Sequence, residues 1–213
     1  MLLSMSRRVP LVLAGLLSLT SQAQPIAGLD LIEIRPPQPT TDPERIVVTE
    51  FFSYQCPHCN SFDPALRRWV GALPDDVLFE RVAVSIGRPS WVPIARAFYT
   101  LEAVGELERL DAAIFRAIHV EGARLYDKES VLAWMKTQGI DGGEFSETYD
   151  SFGIDTFVRR AEQVSSAHKV FSIPALSLDG KYLVPIVDDG TFERQLAGVG
   201  ELIERLRAEK QAR

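Results

Sequence analysis

The chain has 213 residues, with 23 basic against 29 acidic side chains, a net charge of −6 and only two cysteines. That length carries one sizeable hydrophobic core without cross-links. An acidic balance with no basic run argues against nucleic acid or an anionic membrane as partner, and the mixed charge order is that of a solvated surface.

Residues 1–23 read as a secretory signal peptide. Arg7 and Arg8 supply a positive start, and Leu11 to Leu19 form an apolar stretch too short to span a bilayer. Ser21-Gln22-Ala23 places small residues where a signal peptidase reads them, so cleavage is expected after Ala23. Gln24 rather than a cysteine follows, which argues against a lipid anchor. The alternative is an uncleaved membrane anchor, and both Met1 and Met5 are candidate starts. Export would place the cysteines in an oxidising compartment, where disulfides persist.

Residues 24–45 are irregular, with a short strand at Leu31 to Ile34, before Pro36, Pro37, Pro39 and Pro43 keep the chain extended or turning. Ile46 to Phe52 has the content of a buried strand. A helix follows from about Cys56 to Val70, with Cys59, Phe62, Leu66 and Trp69/Val70 at helical spacing and Pro64 inside it. Val77 to Ser85 reads as a second core strand. Helical patterns then cover about Pro93 to Val104, Glu106 to Ile118, Lys128 to Gln138, Glu144 to Ser151 and Asp155 to His168. Gly105, Gly122, Gly139, Gly142, Gly143 and Gly153 punctuate them, and Asp155 is the expected N-cap of the last. Ala175 to Leu178 and Lys181 to Val184 flank Asp179-Gly180, a favoured hairpin turn. A final helix starts near Thr191, with Phe192, Leu196, Val199, Ile203 and Leu206 as its buried stripe. The order implies one α/β domain, formed by 24–88 and 169–213, interrupted by a helical domain over 89–168.

Cys56-Pro57-His58-Cys59 carries the chemistry. A lone pair two residues apart, after an apolar strand, reads as a redox dithiol. Pro57 suits the first turn of a helix, where a missing N–H costs nothing. Cys56 at that helix start would face backbone N–H groups, and His58 adds a donor or a positive charge; both favour the thiolate, the attacking species in disulfide exchange. Cys59, one turn deeper, would be the less accessible, resolving thiol. A zinc site would need His119 and His168 to converge on the loop, and their spacing is not that of a helical ligand pair, so no metal is expected. Asn60 after Cys59 excludes covalent haem, and a static disulfide closing so short a loop would stabilise little. His119 and His168 read as helix-end residues, Trp69, Trp91 and Trp134 as packing, and Asp188-Asp189 as turn and helix-start charge. Glu50 is either a polar strand residue facing water or a buried carboxylate beneath the dithiol that relays a proton to Cys59. Pro174, on local sequence alone, is an ordinary strand-start proline.

Glu50-Phe51-Phe52-Ser53, Cys56-Pro57-His58-Cys59, and Ile173-Pro174-Ala175 leading into Asp179-Gly180-Lys181-Tyr182 together resemble the DsbA family of the thioredoxin superfamily. The resemblance implies a thioredoxin fold with a helical domain inserted between the second core strand and the C-terminal hairpin. It implies a cis Ile173–Pro174 bond facing the dithiol, with Ile173 backbone groups holding substrate by β-like pairing, and Glu50 as the buried acid. Arg81 stands where relatives can have a lysine, and arginine cannot share a proton. Tyr54, Gln55 and Asn60 also vary from better-known members.

The expected function is a periplasmic dithiol oxidase that donates its Cys56–Cys59 disulfide to reduced, unfolded exported proteins. It needs no cofactor beyond that disulfide, is reoxidised by a DsbB-type membrane partner, and acts as a monomer. Its rivals are a reductase or isomerase of the same fold, and a secreted peptide-binding module with a static disulfide. The glutathione-dependent isomerases sharing the insertion do not need a CxxC pair.

Overall fold

The computed structural model describes residue 26 and residues 29–212, so the expected signal over 1–23 lies outside it. In chain order the elements are β1 (Ile32–Glu33), β2 (Ile46–Phe52), α1 (Pro57–Val70), β3 (Val77–Ala83), a 3-10 turn (Pro89–Trp91), α2 (Val92–Ala103), α3 (Leu107–His119), α4 (Lys128–Thr137), α5 (Gly142–Tyr149), α6 (Phe152–Ala167), β4 (Ala175–Leu178), β5 (Tyr182–Pro185) and α7 (Phe192–Gln211). The sheet order is β1-β5-β4-β2-β3. β2 runs parallel to β3 and antiparallel to β4, and β5 pairs antiparallel with both β4 and β1.

All seven residues of β2 are buried, as expected of a strand covered on both faces. Side chains alternate along it. Ile46 and Val48 join Leu66 of α1, Leu176 of β4 and Val199 and Leu202 of α7 in one apolar cluster. Glu50 continues that row beneath α1. Phe51, on the opposite face, and Phe52, at the strand end next to the dithiol, join a second cluster with Ala97, Ile114, Phe145 and Ile154 of the helical block. The block of α2 to α6 thus packs against the same strand that leads into the dithiol. Trp91 and Trp134 border the second cluster and Trp69 the first.

Three local readings change. The last helix of the block begins at Phe152, not Asp155, because Ser151 supplies the cap: its side chain accepts from the Ile154 N–H. Asp155 then lies in the first turn, where it pairs with Arg159 and, at 3.2 Å, with Arg96. Gly142, Gly143 and Gly153 lie inside α5 and α6 rather than between helices, because Asp141 and Ser151 start those helices just before them. The strand expected to reach Ser85 ends at Ala83.

The hairpin turn follows its sequence. Asp179 and Gly180 have φ of 52° and 63°, the left-handed pair that such turns require. Gly180 also lies so close to the preceding loop that a Cβ would sit 2.0 Å from the Gln38 carbonyl oxygen. Only glycine fits there.

Candidate active site

α1 opens directly after β2, with Cys56 at its N-cap in extended conformation and Pro57 in its first turn. Cys56 has no oxygen with which to cap the helix, so the N–H groups of the first turn remain aimed at its sulfur. Both cysteines are unbridged in this structure. The Cys56 thiol is pulled down to about 6, first by a hydrogen bond from the Cys59 thiol, then against burial by the backbone N–H groups of Cys59 and His58 and the nearby His58 charge. Cys59 goes the other way: burial, then its bond to Cys56 and the charge of Glu50, push it well above the ordinary thiol range. The expected contrast in accessibility is small, with Cys56 keeping 4% and Cys59 0% of its surface. Cys56 is covered because its Sγ lies 3.6 Å from the Ile173 carbonyl.

Ile173–Pro174 is cis, and Ile173 is buried against the dithiol while Phe171, two residues earlier, keeps 88% of its surface exposed. On the other side Val187 is 48% exposed. Asp188 next to it places Oδ2 3.5 Å from His58 Nδ1, tying the CxxC turn to the β5–α7 loop when His58 is protonated. Asp189 accepts from the Thr191 N–H at the start of α7. His119 ends α3 and donates from Nε2 to the Tyr54 carbonyl at 2.7 Å, and His168 follows α6 with Nδ1 on the Val164 carbonyl at 2.8 Å. Each of these histidines thus has one ring nitrogen engaged by a backbone carbonyl.

Beneath Cys59, Glu50 is 1% exposed and faces inward. The β2–β3 register sets it opposite Arg81, whose Nε donates to Glu50 Oε2 at 2.6 Å. Its other oxygen, Oε1, has no hydrogen-bond partner. Burial raises the Glu50 carboxyl, and the Arg81 charge offsets this only in part. Burial alone would lower the Arg81 guanidinium, but Glu50 and Asp111 outweigh it and keep it charged. Arg81 also lies over the Phe52 ring, 3.7 Å from its centroid.

Arg81 leads to a network that sequence reasoning did not assemble, with Asp63, Arg67 and Asp111 not singled out at all. Its second donor reaches Asp111 Oδ2 of α3 at 2.7 Å. Asp111 also binds Arg67 and accepts the Tyr54 hydroxyl. Arg67 closes back on Asp63 at 2.6 Å, and Asp63 lies 3.7 Å from Arg81. The Asp63–Arg67 pair could have been found from its i,i+4 spacing. Asp111 carried no such signal, since its partners lie 30 or more residues away in the chain. Gln55, the other unusual residue before Cys56, is buried and donates to the Leu125 carbonyl at 3.0 Å.

Comparison with known proteins agrees with this arrangement. The family described as "DSBA-like thioredoxin domain" matches residues 91–197, from the 3-10 turn into α7. Similarity to individual relatives reaches back across the dithiol. The chain is 34% identical to the thiol:disulfide interchange protein DsbA of Pseudomonas syringae pv. tomato over 204 residues, 95% of each chain. It is 34% identical to that of Bordetella parapertussis over 177 residues, covering 83% of this chain and 84% of the relative. Among solved structures, Pseudomonas aeruginosa DsbA superposes with a TM-score of 0.78 at 33% identity, covering 86% of this chain and 95% of that one. The oxidoreductase DsbA from Xylella fastidiosa gives 0.78 at 28% identity, covering 86% and 98%. With a strand–CxxC–helix unit, a facing cis-proline loop and this degree of likeness over most of its length, the chain belongs to the DsbA family of thioredoxin-fold thiol:disulfide oxidoreductases.

Proposed function

We propose that this oxidoreductase works as a periplasmic dithiol oxidase. The observation that carries the reading is the placement of Cys56 at the uncapped start of α1 with Cys59 fully buried one turn on, which pulls the first thiol down to about 6 and pushes the second well above the usual range. A dithiol whose outer sulfur is comfortable as an anion holds its disulfide weakly and passes it on.

In the forward reaction a substrate thiolate attacks Cys56 Sγ of the oxidised enzyme. The new substrate–Cys56 bond forms as the Cys56–Cys59 bond breaks, and Cys59 leaves with the electron pair. Its high proton affinity demands a proton, for which Glu50 is the nearby buried acid. A second substrate thiolate then attacks the substrate sulfur of the mixed disulfide and releases Cys56 as thiolate. The substrate loses two electrons and becomes a disulfide; the enzyme gains them and becomes a dithiol. No further cofactor enters this sequence.

Pro57 starts the helix that exposes the N–H groups, and His58 adds charge outside it. Ile173 and Pro174 offer backbone to an extended substrate strand, and the exposed Phe171 and Val187 beside them suit reduced, unfolded exported proteins. Reoxidation falls to a DsbB-type membrane oxidase, with this chain acting as a monomer in the periplasm. Among the described residues no helix is long and apolar enough to cross a membrane.

The test is direct. Purified oxidised protein should convert a reduced, unfolded protein to its disulfide form and lose that ability in Cys56→Ser. Its equilibrium with glutathione should lie far to the reduced side. A thioredoxin-like potential would assign it to the reductases instead.

A further inference from the structure

Three carboxylates, Glu50, Asp63 and Asp111, share two guanidiniums, Arg67 and Arg81, in the buried network under the dithiol. With all five ionised the network carries one negative charge too many. The bonding shows how that surplus is distributed. Asp111 is the best-supplied acid: Oδ2 takes both Arg67 and Arg81, and Oδ1 takes the Tyr54 hydroxyl. Asp63 takes Arg67. Glu50 has one bond, from Arg81, and an oxygen with nothing on it. A carboxylate that must share its only cation with a better-held neighbour is the one that gains most from a proton.

We infer that Asp111, carried by α3 of the helical block, is a positioning residue for the redox centre: by claiming part of Arg81 it makes Glu50 the surplus acid, the group that takes up and releases the proton when Cys59 changes state. The groups facing Glu50 are consistent with this. α1 offers Cys59 and Asp63, β3 offers Arg81, α3 offers Asp111, and the β4 residue paired with Glu50 is the uncharged Leu176. The two charged neighbours other than Arg81 both disfavour an ionised Glu50. The role of the helical block would then extend beyond packing, since one of its side chains adjusts the proton affinity beneath the dithiol. This rests on the reading of Glu50 as the proton donor to Cys59, but its test does not need turnover.

The experiment follows the Glu50 carboxyl carbon by NMR against pH in the full chain, assigned by its absence in Glu50→Gln. Asp111→Asn keeps the shape and, with its amide oxygen toward the guanidiniums, leaves an NH2 that can donate to the Tyr54 oxygen; it removes a negative charge, so the Glu50 midpoint should fall by roughly one unit. Arg67→Gln removes a positive charge at a partly exposed side chain and should move the midpoint up. Opposite shifts in the two variants support the inference. No shift, or shifts in the same direction, overturns it; if Asp111→Asn does not fold, Arg67→Gln decides alone, a rise supporting the inference and no shift or a fall overturning it. A chain without oxidase activity would defeat the functional reading while leaving this titration to stand or fall separately.

Discussion

Cys56 and Cys59 stand one helical turn apart, yet their surroundings drive their protons in opposite directions. At the rim, Cys56 meets the open N–H groups of the α1 start, a thiol donor and His58, and is pulled down to about 6. On the floor, Cys59 meets apolar packing and a buried acid, and is pushed well up. Residue type is the same in both places. The open N–H groups at the helix start lower the proton affinity of one sulfur, while burial beside Glu50 raises that of the other.

The sharpest way to break this comparison is to leave one sulfur at a time. At neutral pH, Cys59→Ser should react with oxidised glutathione roughly a hundredfold faster than Cys56→Ser, because far more of the rim thiol is anionic. Mass spectrometry of the mixed disulfide would follow both reactions. Equal rates would mean that the two environments are not different in effect.

The floor is tested by Arg81→Met. Removing the guanidinium leaves Glu50 and Asp111 buried without their shared counter-charge, so denaturant unfolding should show a loss of about 3 kcal/mol or more. A loss below about 1 kcal/mol would show that the floor is wetter than its burial suggests.

A smaller effect links the rim to stability. Cys56 ionises near 6 in the folded reduced protein, against an unperturbed 9.0. A depressed acid contributes stability that is fully present above its unfolded value and lost as pH falls through its folded value. At pH 7 this is worth about 1 kcal/mol once solvent screening is allowed for. Cys59 has the opposite sign and costs stability only above the unfolded thiol range. The reduced form should therefore gain in Tm relative to the oxidised form as pH rises from about 5 to about 9, then lose ground in stronger alkali. A gap that ignores pH over that window would contradict the assignment.

The rim was more legible in the sequence than the floor. Strand, Cys56, Pro57 and a helical period are local signals, and they placed Cys56 at a helix start because each follows from its chain neighbours. The burial of Glu50 could be suspected from the apolar run around it, and its opposition to Arg81 follows once β2 and β3 are paired. Asp111, Tyr54 and Arg67 could not be read as a unit, because α3 meets α1 and β3 only through tertiary packing. The start of α6 differs from its sequence reading for a local reason: Gly153 reads as a breaker, while the Ser151 cap makes it part of the helix. The cis geometry at Pro174 came from family resemblance and not from the residues around it.

The account depends most on the anion at the rim. Titrating the thiolate absorbance of the reduced protein, with Cys56→Ser as the blank, should give a midpoint near 6 for Cys56 and no second transition until strongly alkaline pH. A Cys56 midpoint near the unperturbed 9.0 would contradict it.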